Sequence, residues 1–205
     1  MQFAKKFLLE QPNWDNVLWS DEKWFTLNGP DFYSSYWRHI SDPINERKRS
    51  QKGGNGIMMW GMFSSNGKRA FKFSNRTLNS EGYIRILKEK LLPVLENNIN
   101  TMIIQQDNAS IHNSGITKDF IRDNDVIQMD WPALSPYLNP IENLWGILCN
   151  KVYGGNKQYE SKSQLEDSIQ SEWEIIPIET LHNLALSLPS RLISVIENNG
   201  GVTKY

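Results

Sequence analysis

The chain has 205 residues with 22 basic and 23 acidic side chains, and its formal net charge of −1 suits one ordinary soluble domain. Its mean hydropathy is −0.53 and no run approaches the roughly 20 apolar residues of a membrane helix, which excludes a membrane-spanning protein. Eight Trp, seven Tyr and eight Phe side chains exclude a disordered tail, and the single cysteine excludes a disulfide scaffold.

The charge is distributed unevenly along the chain. Residues 36–72 carry eight basic and two acidic side chains, whereas residues 142–182 carry seven acidic and three basic ones. The near-neutral total argues against a strongly basic nucleic-acid binder, and two solvated faces of opposite charge would explain the pattern.

The first predicted strand covers residues 17–27 and ends at an Asn-Gly-Pro turn. Its odd-numbered positions are the more apolar, so that face should be buried. Asp21 and Lys23 lie on this face, whereas Glu22 lies on the wetter one. A buried carboxylate needs a partner, which singles out Asp21.

The next segment, about residues 31–56, is polar, contains the basic run ERKRSQK and is interpreted as a long loop or arm. Two further strands, 56–63 and 69–73, are joined by a turn, and three strands connected locally predict an antiparallel meander. Apolar residues at helical spacing then predict a helix over 79–97, which Pro93 could kink.

The second half of the chain alternates strands and helices. The predicted elements are a strand at 102–104, a helix at 114–123, a strand at 126–129, a helix after Pro140, and two or three helices between 161 and 198. Strands first and alternation afterwards predict an α/β fold with a mixed sheet.

Two more carboxylates stand at the ends of predicted elements. Asp107 follows the apolar strand 102–104, and Glu142 lies in the first turn of the helix opened by Asn139 and Pro140. Each has an ordinary explanation: Asp107 could make an Asx turn, Glu142 could belong to a capping box, and Asp21 could be a paired buried acid.

Taken together, these three acids predict a metal site. A strand face, a strand end and a helix start can converge on one edge of a sheet. Clustered carboxylates repel one another unless a cation neutralises them, and oxygen ligands select Mg²⁺ or Mn²⁺ over zinc. Two such ions activate a nucleophile and stabilise the leaving oxygen of a phosphodiester, so phosphoryl chemistry on nucleic acid is the hypothesis.

Four motifs occur together in this chain: WSDEKWF (19–25), GGNGIMMWGMFS (53–64), QQDNASIH (105–112) and WPALSPYLNPIENLWG (131–146). In combination they resemble the mariner-type superfamily of DNA transposases, especially its nematode Tc-like branch. The resemblance runs from about Trp14 to the C-terminal VTKY. The 34 residues between Asp107 and Glu142 are typical of the branch whose acidic triad ends in glutamate.

The resemblance implies an RNase H-like fold, as in retroviral integrases, with a mixed sheet flanked by helices. Its catalytic acids and metal ligands map onto Asp21, Asp107 and Glu142. Family members use two Mg²⁺ ions, for which Mn²⁺ could substitute, to hydrolyse a strand at each transposon end and direct the new 3′-hydroxyl at target DNA. Asn108 would support the metal ligands or contact substrate.

The implied partners are DNA, at transposon ends and target, and a second copy of the chain in a homodimer; the implied location is the nucleus. The basic arm lies where family members carry an insertion that bridges to a partner subunit or to DNA. Its basic residues would contact phosphates without reading sequence; they are Arg47, Lys48, Arg49 and Lys52.

Other residues in the motifs favour structural roles. Trp131 and Trp145 are expected in the core rather than on a base-stacking surface. His112 could approach phosphate or the site, but a lone histidine after a turn is more often structural, and we favour that interpretation. At Tyr137 the chain departs from the aspartate often found in the family's SPDLNP loop, which puts local loop contacts in doubt.

Family transposases also carry an N-terminal pair of helix-turn-helix modules, whereas here about thirteen residues precede the start of the resemblance at Trp14. We therefore expect a remnant or linker at 1–13 and one catalytic domain at 14–205. An excised domain, a truncated copy and a repurposed remnant all stay open. Two alternative functions are a non-catalytic DNA-binding or dimerisation remnant and a nuclease for RNA–DNA hybrids.

Overall fold

The computed structural model describes residues 1–10, 12–29, 56–67, 69–96 and 102–201. Almost all of the predicted loop 31–56, including the four basic residues of its arm, lies outside the described residues. The arm's contribution to DNA binding is therefore a prediction without a structural test.

The described strands form one mixed sheet in the order β3-β2-β1-β4-β5. The central strand β1 pairs antiparallel with β2 and parallel with β4, and β2 pairs antiparallel with β3, so the predicted meander is confirmed. The strands are β1 (Val17–Thr26), β2 (Gly56–Phe63), β3 (Arg69–Ser74), β4 (Ile103–Gln105) and β5 (Ile127–Gln128).

Helices cover both faces of this sheet, as predicted for an α/β fold. Successive side chains of β1 point to opposite faces of the sheet and so belong to two different cores. Trp19 and Phe25 pack in the core on one face, and Leu18 packs in the core on the other. The helices are α1 (Gln2–Glu10), α2 (Ser80–Ile86), α3 (Leu92–Leu95), α4 (Gly115–Asp123), α5 (Ile141–Val152), α6 (Lys162–Glu174), α7 (Ile178–Ala185) and α8 (Leu188–Glu197). Among them, none is long and apolar enough to cross a bilayer.

The helix predicted over 79–97 is interrupted rather than merely kinked. A wider π-helical turn, Leu87–Leu91, separates α2 from α3. Pro93 lies in the first turn of α3, where its lack of an N–H removes one helical hydrogen bond. The apolar face is preserved, since Tyr83, Leu87 and Leu91 are all buried.

Helix α1 was not predicted. Its Ala4 and Phe7 are buried, and the helix packs against α8. The ring of Phe7 packs against that of Trp14, with 5.8 Å between centroids, and Trp14 packs in turn against Trp19 of β1 at 6.3 Å. Its apolar side chains thus extend the core beneath β1, while the domain boundaries at 1–13 and 14–205 stay predictions.

Candidate active site

A cleft of about 350 Å³ opens where β1, the end of β4 and the start of α5 meet. All three predicted carboxylates line it, together with Asn108 and the loop before α5. The lining residues are Asp21, Asp107, Asn108, Ala109, Trp131, Pro132, Ala133, Leu134, Ser135, Pro136, Asn139 and Glu142.

Asp21 lies in the middle of β1, opposite Gly61 of β2. Its Oδ2 accepts a hydrogen bond of 2.9 Å from Nε1 of Trp145 on α5. Burial, reinforced by the negative charges of Glu142 and Glu22, raises the pKa of Asp21 to about 7. A Cβ atom at position 61 would lie 2.4 Å from Cη2 of Trp145, so a glycine there lets the indole reach Asp21.

Asp107 follows β4 and is half-exposed, with 55% of its side-chain surface accessible. Its Oδ1 accepts hydrogen bonds from the backbone N–H of Ala109 (2.9 Å) and from Nδ1 of His112 (2.7 Å). The His112 hydrogen bond outweighs partial burial and lowers the pKa of Asp107. The side chain therefore makes the Asx-type turn contact that sequence analysis considered, while it also faces the cleft.

His112 links two carboxylates, which sequence reasoning missed. Its buried ring faces Asp107 through Nδ1, and its Nε2 lies 3.3 Å from Oε1 of Glu22. Burial opposes protonation of the imidazole, but the hydrogen bonds with Asp107 and Glu22 raise its pKa to about 9. The ring of Tyr83 packs on it at 4.4 Å between centroids. The sequence signals were the Asp107–His112 spacing and the acid next to Asp21.

Glu142 lies in the first turn of α5, as predicted. Asn139 positions this helix start, since its Oδ1 accepts from the N–H of Ile141 and its Nδ2 donates to the backbone oxygen of Ser20. Burial raises the pKa of Glu142; the positive charge of Lys23 lowers it, and the negative charge of Asp107 raises it further. The hydrogen bond between Asn139 and Ser20, 119 residues apart in sequence, therefore holds the start of α5, and with it Glu142, beside β1.

The structure brings the three acids into one cleft. The negative charge of Glu142 raises the pKa of Asp21, and that of Asp107 raises the pKa of Glu142. Within the described ranges, no three His, Cys, Asp or Glu side chains form a group that could hold a metal ion. The possible ligands in the cleft offer only oxygen atoms, a donor set that fits Mg²⁺ or Mn²⁺. Convergence of the three acids on a metal stays a prediction.

The cleft loop, residues 131–138, is anchored at both ends. Nδ2 of Asn108 donates to the backbone oxygen of Trp131 over 2.8 Å, and Trp131 is buried as predicted. At the other end, Nη1 of Arg191 donates to the backbone oxygen of Tyr137 over 2.9 Å. Tyr137 thus contributes its backbone to the loop's anchoring, and the role of Arg191 on α8 was not predicted.

A larger cavity, about 730 Å³, lies elsewhere, between β3 and α6. Lys72 and Lys90 line it, and Glu89 accepts from both of them at 2.9 and 3.3 Å. This cavity shares no lining residue with the carboxylate cleft. The larger of the two cavities is therefore not the one that holds the three acids.

For the metal-dependent DNA cleavage that the sequence predicts, replacing Trp145 by Phe is expected to lower the rate about tenfold, because a hydrogen bond to a charged group contributes about 1.5–3 kcal/mol and its removal frees Asp21 to rotate. Trp173 offers a matched control: it is buried, its ring packs on Trp145 at 5.7 Å, and its Nε1 has no partner among the described residues. Trp173→Phe should lower stability similarly but leave the cleavage rate of the folded protein unchanged. Equal reductions of cleavage in both variants would contradict positioning by Trp145.

Comparison with known sequences identifies the family of the chain. The profile of the family described as DDE superfamily endonuclease matches residues 16–166. The transposable element Tc3 transposase of Caenorhabditis elegans is 38% identical over 206 residues, an alignment covering 100% of this chain and 62% of that protein. The Tcb1 transposase of Caenorhabditis briggsae is 32% identical over 214 residues, covering 100% of this chain and 76% of the relative. The chain thus spans about three fifths of the Tc3 protein.

Solved structures resemble the fold at low sequence identity. The Mos1 transposase paired-end complex with left transposon end has a TM-score of 0.81 at 16% identity, covering 98% of this chain and 60% of that one. The catalytic domain of Mos1 mariner transposase has a TM-score of 0.73 at 14% identity, covering 99% and 91%. The likeness confirms the predicted RNase H-like fold.

Proposed function

The chain belongs to the DDE superfamily endonucleases and, within them, to the mariner-type and Tc-like transposases, and from this membership we propose that it catalyses DNA transposition. It would hydrolyse phosphodiester bonds at transposon ends and transfer the new end to target DNA. The observation that carries the proposal is the cleft shared by Asp21, Asp107 and Glu142.

Each proposed ligand has a neighbour that orients it. Trp145 holds Asp21, His112 holds Asp107, and Asn139 fixes the helix start that presents Glu142. Two Mg²⁺ or Mn²⁺ ions bound by these acids would activate water or a 3′-hydroxyl and stabilise the leaving oxygen. Paired-end complexes of Mos1 solved with Mg and with Mn support this choice of ion.

DNA and a second copy of the chain are the partners we propose, with the nucleus as the place of action. Support comes from the Mos1 structures, which include a paired-end complex with a transposon end and a pre-cleavage transpososome. A non-catalytic remnant is the less favoured function, because all three acids are present and share one cleft.

The test is cleavage of end-labelled duplex DNA by the purified chain with Mg²⁺, Mn²⁺, Ca²⁺ or EDTA. We expect nicks ending in a 3′-hydroxyl with Mg²⁺ and Mn²⁺ and none with EDTA. An RNA–DNA hybrid of the same sequence separates the alternatives, since preferential cleavage of the hybrid would favour the hybrid nuclease. No cleavage of any substrate, with DNA binding retained, would favour the non-catalytic remnant.

The basic arm is expected to dominate binding to duplex DNA. Replacing its four basic residues by alanine should reduce the slope of log affinity against log salt by about 0.9 for each phosphate that the variant no longer neutralises. Fluorescence anisotropy between low and moderate salt would measure the slope; the residues are Arg47, Lys48, Arg49 and Lys52. A matched variant replaces four exposed basic residues elsewhere, Lys5, Lys118, Arg122 and Lys151. An unchanged slope in the arm variant would place the DNA path elsewhere.

A further inference from the structure

Leu134 combines two unusual features at the mouth of the carboxylate cleft. Its side chain is 95% exposed, more than any other large hydrophobic side chain in the described ranges. Its φ angle is +53°, a left-handed conformation that costs a residue with a branched side chain free energy. The same residue is among those that line the cleft of Asp21, Asp107 and Glu142.

The loop around Leu134 is held by hydrogen bonds and by buried side chains. Trp131, three residues earlier, is buried and its backbone oxygen accepts from Asn108. One residue later, the hydroxyl of Ser135 donates to the backbone oxygen of Ala133 over 3.0 Å. Leu138 is buried at the other end of the loop. An anchored loop therefore presents an apolar side chain to solvent, at a conformational cost.

The neighbouring chemistry indicates what would cover this side chain. Phosphates entering the cleft meet carboxylates and need cations to neutralise the repulsion. An exposed leucine offers the substrate an uncharged contact, suited to the face of a base or to a deoxyribose. Apolar side chains of this kind are used as wedges that unstack base steps in DNA.

We propose that Leu134 packs against the nucleotide next to the scissile phosphate and opens the base stack there, positioning the bond over the carboxylates. This inference rests on the proposed function, since it assumes that DNA enters the cleft. Leu134 would act as a positioning residue, and the chemical step would remain with the acids.

The test compares Leu134→Ser and Leu134→Met on a fully paired duplex and on the same duplex with a two-base mismatch at the bond that the wild-type protein cleaves most. Leu134→Ser should cleave the paired duplex about tenfold more slowly, a loss of about 1.4 kcal/mol, because serine buries much less apolar surface against the nucleotide. It should be impaired much less on the mismatched duplex, and Leu134→Met should restore paired cleavage. Leu9→Ser, which changes another highly exposed leucine on α1, is the matched control.

A binding measurement without cleavage separates this inference from the proposed function. With Ca²⁺ to neutralise the carboxylates, and the DNA checked to be intact afterwards, the wild-type chain should bind a duplex with a two-base bubble more tightly than a paired duplex, and Leu134→Ser should bind the bubble about tenfold more weakly. Failure of every variant to cleave, with this preference intact, would contradict only the proposed function.

Three outcomes would overturn the role of Leu134. The first is paired-duplex cleavage by Leu134→Ser at the wild-type rate, or the same bubble affinity in both proteins. The second is an oligomeric state of Leu134→Ser that differs from that of the wild type in sedimentation, which would assign Leu134 to an interface between copies of the chain. The third is a lower unfolding temperature for Leu134→Gly, because glycine relieves the left-handed strain and only a structural side chain would be missed.

Discussion

Replacing Asp107 by asparagine is expected to lower metal-dependent cleavage of duplex DNA by about a thousandfold, since metal-ion stabilisation of the transition state contributes several kcal/mol. Asparagine has the same size and can still accept a hydrogen bond from Ala109. It lacks the negative charge that binds a divalent ion. The expected effect is therefore chemical rather than structural.

Single-turnover cleavage with saturating protein would measure the effect, with Asp130→Asn as the control because Asp130 is exposed and outside the cleft lining. A second measurement is thermal unfolding with and without Mn²⁺. An ion that binds only the folded state raises its stability, so Mn²⁺ should raise the unfolding temperature of the wild type more than that of Asp107→Asn. Wild-type cleavage by Asp107→Asn would exclude this acid from the metal site.

Local patterns explain why much of the fold was predictable. The alternation of β1 is set by side chains that neighbour one another in sequence, and it correctly placed Asp21 near mid-strand with Trp19 and Phe25 on a buried face. The opposite face was expected to be the wetter one, but Leu18 is buried there in a second core. The helix after Pro140 has a turn-by-turn apolar repeat, which gave its position and that of Glu142. Each of these predictions depends on contacts within one element.

Features that depend on two distant elements could not be predicted in the same way. Trp145 and Asp21 are 124 residues apart, and His112 and Glu22 are 90 apart. Both pairs form only because the sheet places β1 beside β4 and beneath α5. Helix α1 is a similar case, since its short apolar face became recognisable only through its packing on α8.

Replacing Arg191 by methionine is expected to lower the free energy of unfolding by about 3 kcal/mol, because each buried acceptor left unpaired costs about 1–3 kcal/mol. The side chain is 1% exposed. Its guanidinium donates to the backbone oxygen of Tyr137 (2.9 Å), to Oδ1 of Asn143 (2.6 Å) and to the hydroxyl of Ser187 (2.8 Å). Methionine keeps the apolar stem and removes these donors.

Urea unfolding would measure the change, with Arg122→Met as the control: Arg122 is mostly exposed on α4, its ion pairs are at the surface, and its replacement should leave stability unchanged. Arg191→Lys should restore only part of the stability, because one ammonium cannot reproduce the geometry of a guanidinium fork. Wild-type stability in Arg191→Met would contradict its role as an anchor. Arg191→Met should also cleave DNA more slowly than the wild type at temperatures well below its own unfolding temperature. The reason is that Arg191 connects α8 both to the cleft loop and to the helix that carries Glu142.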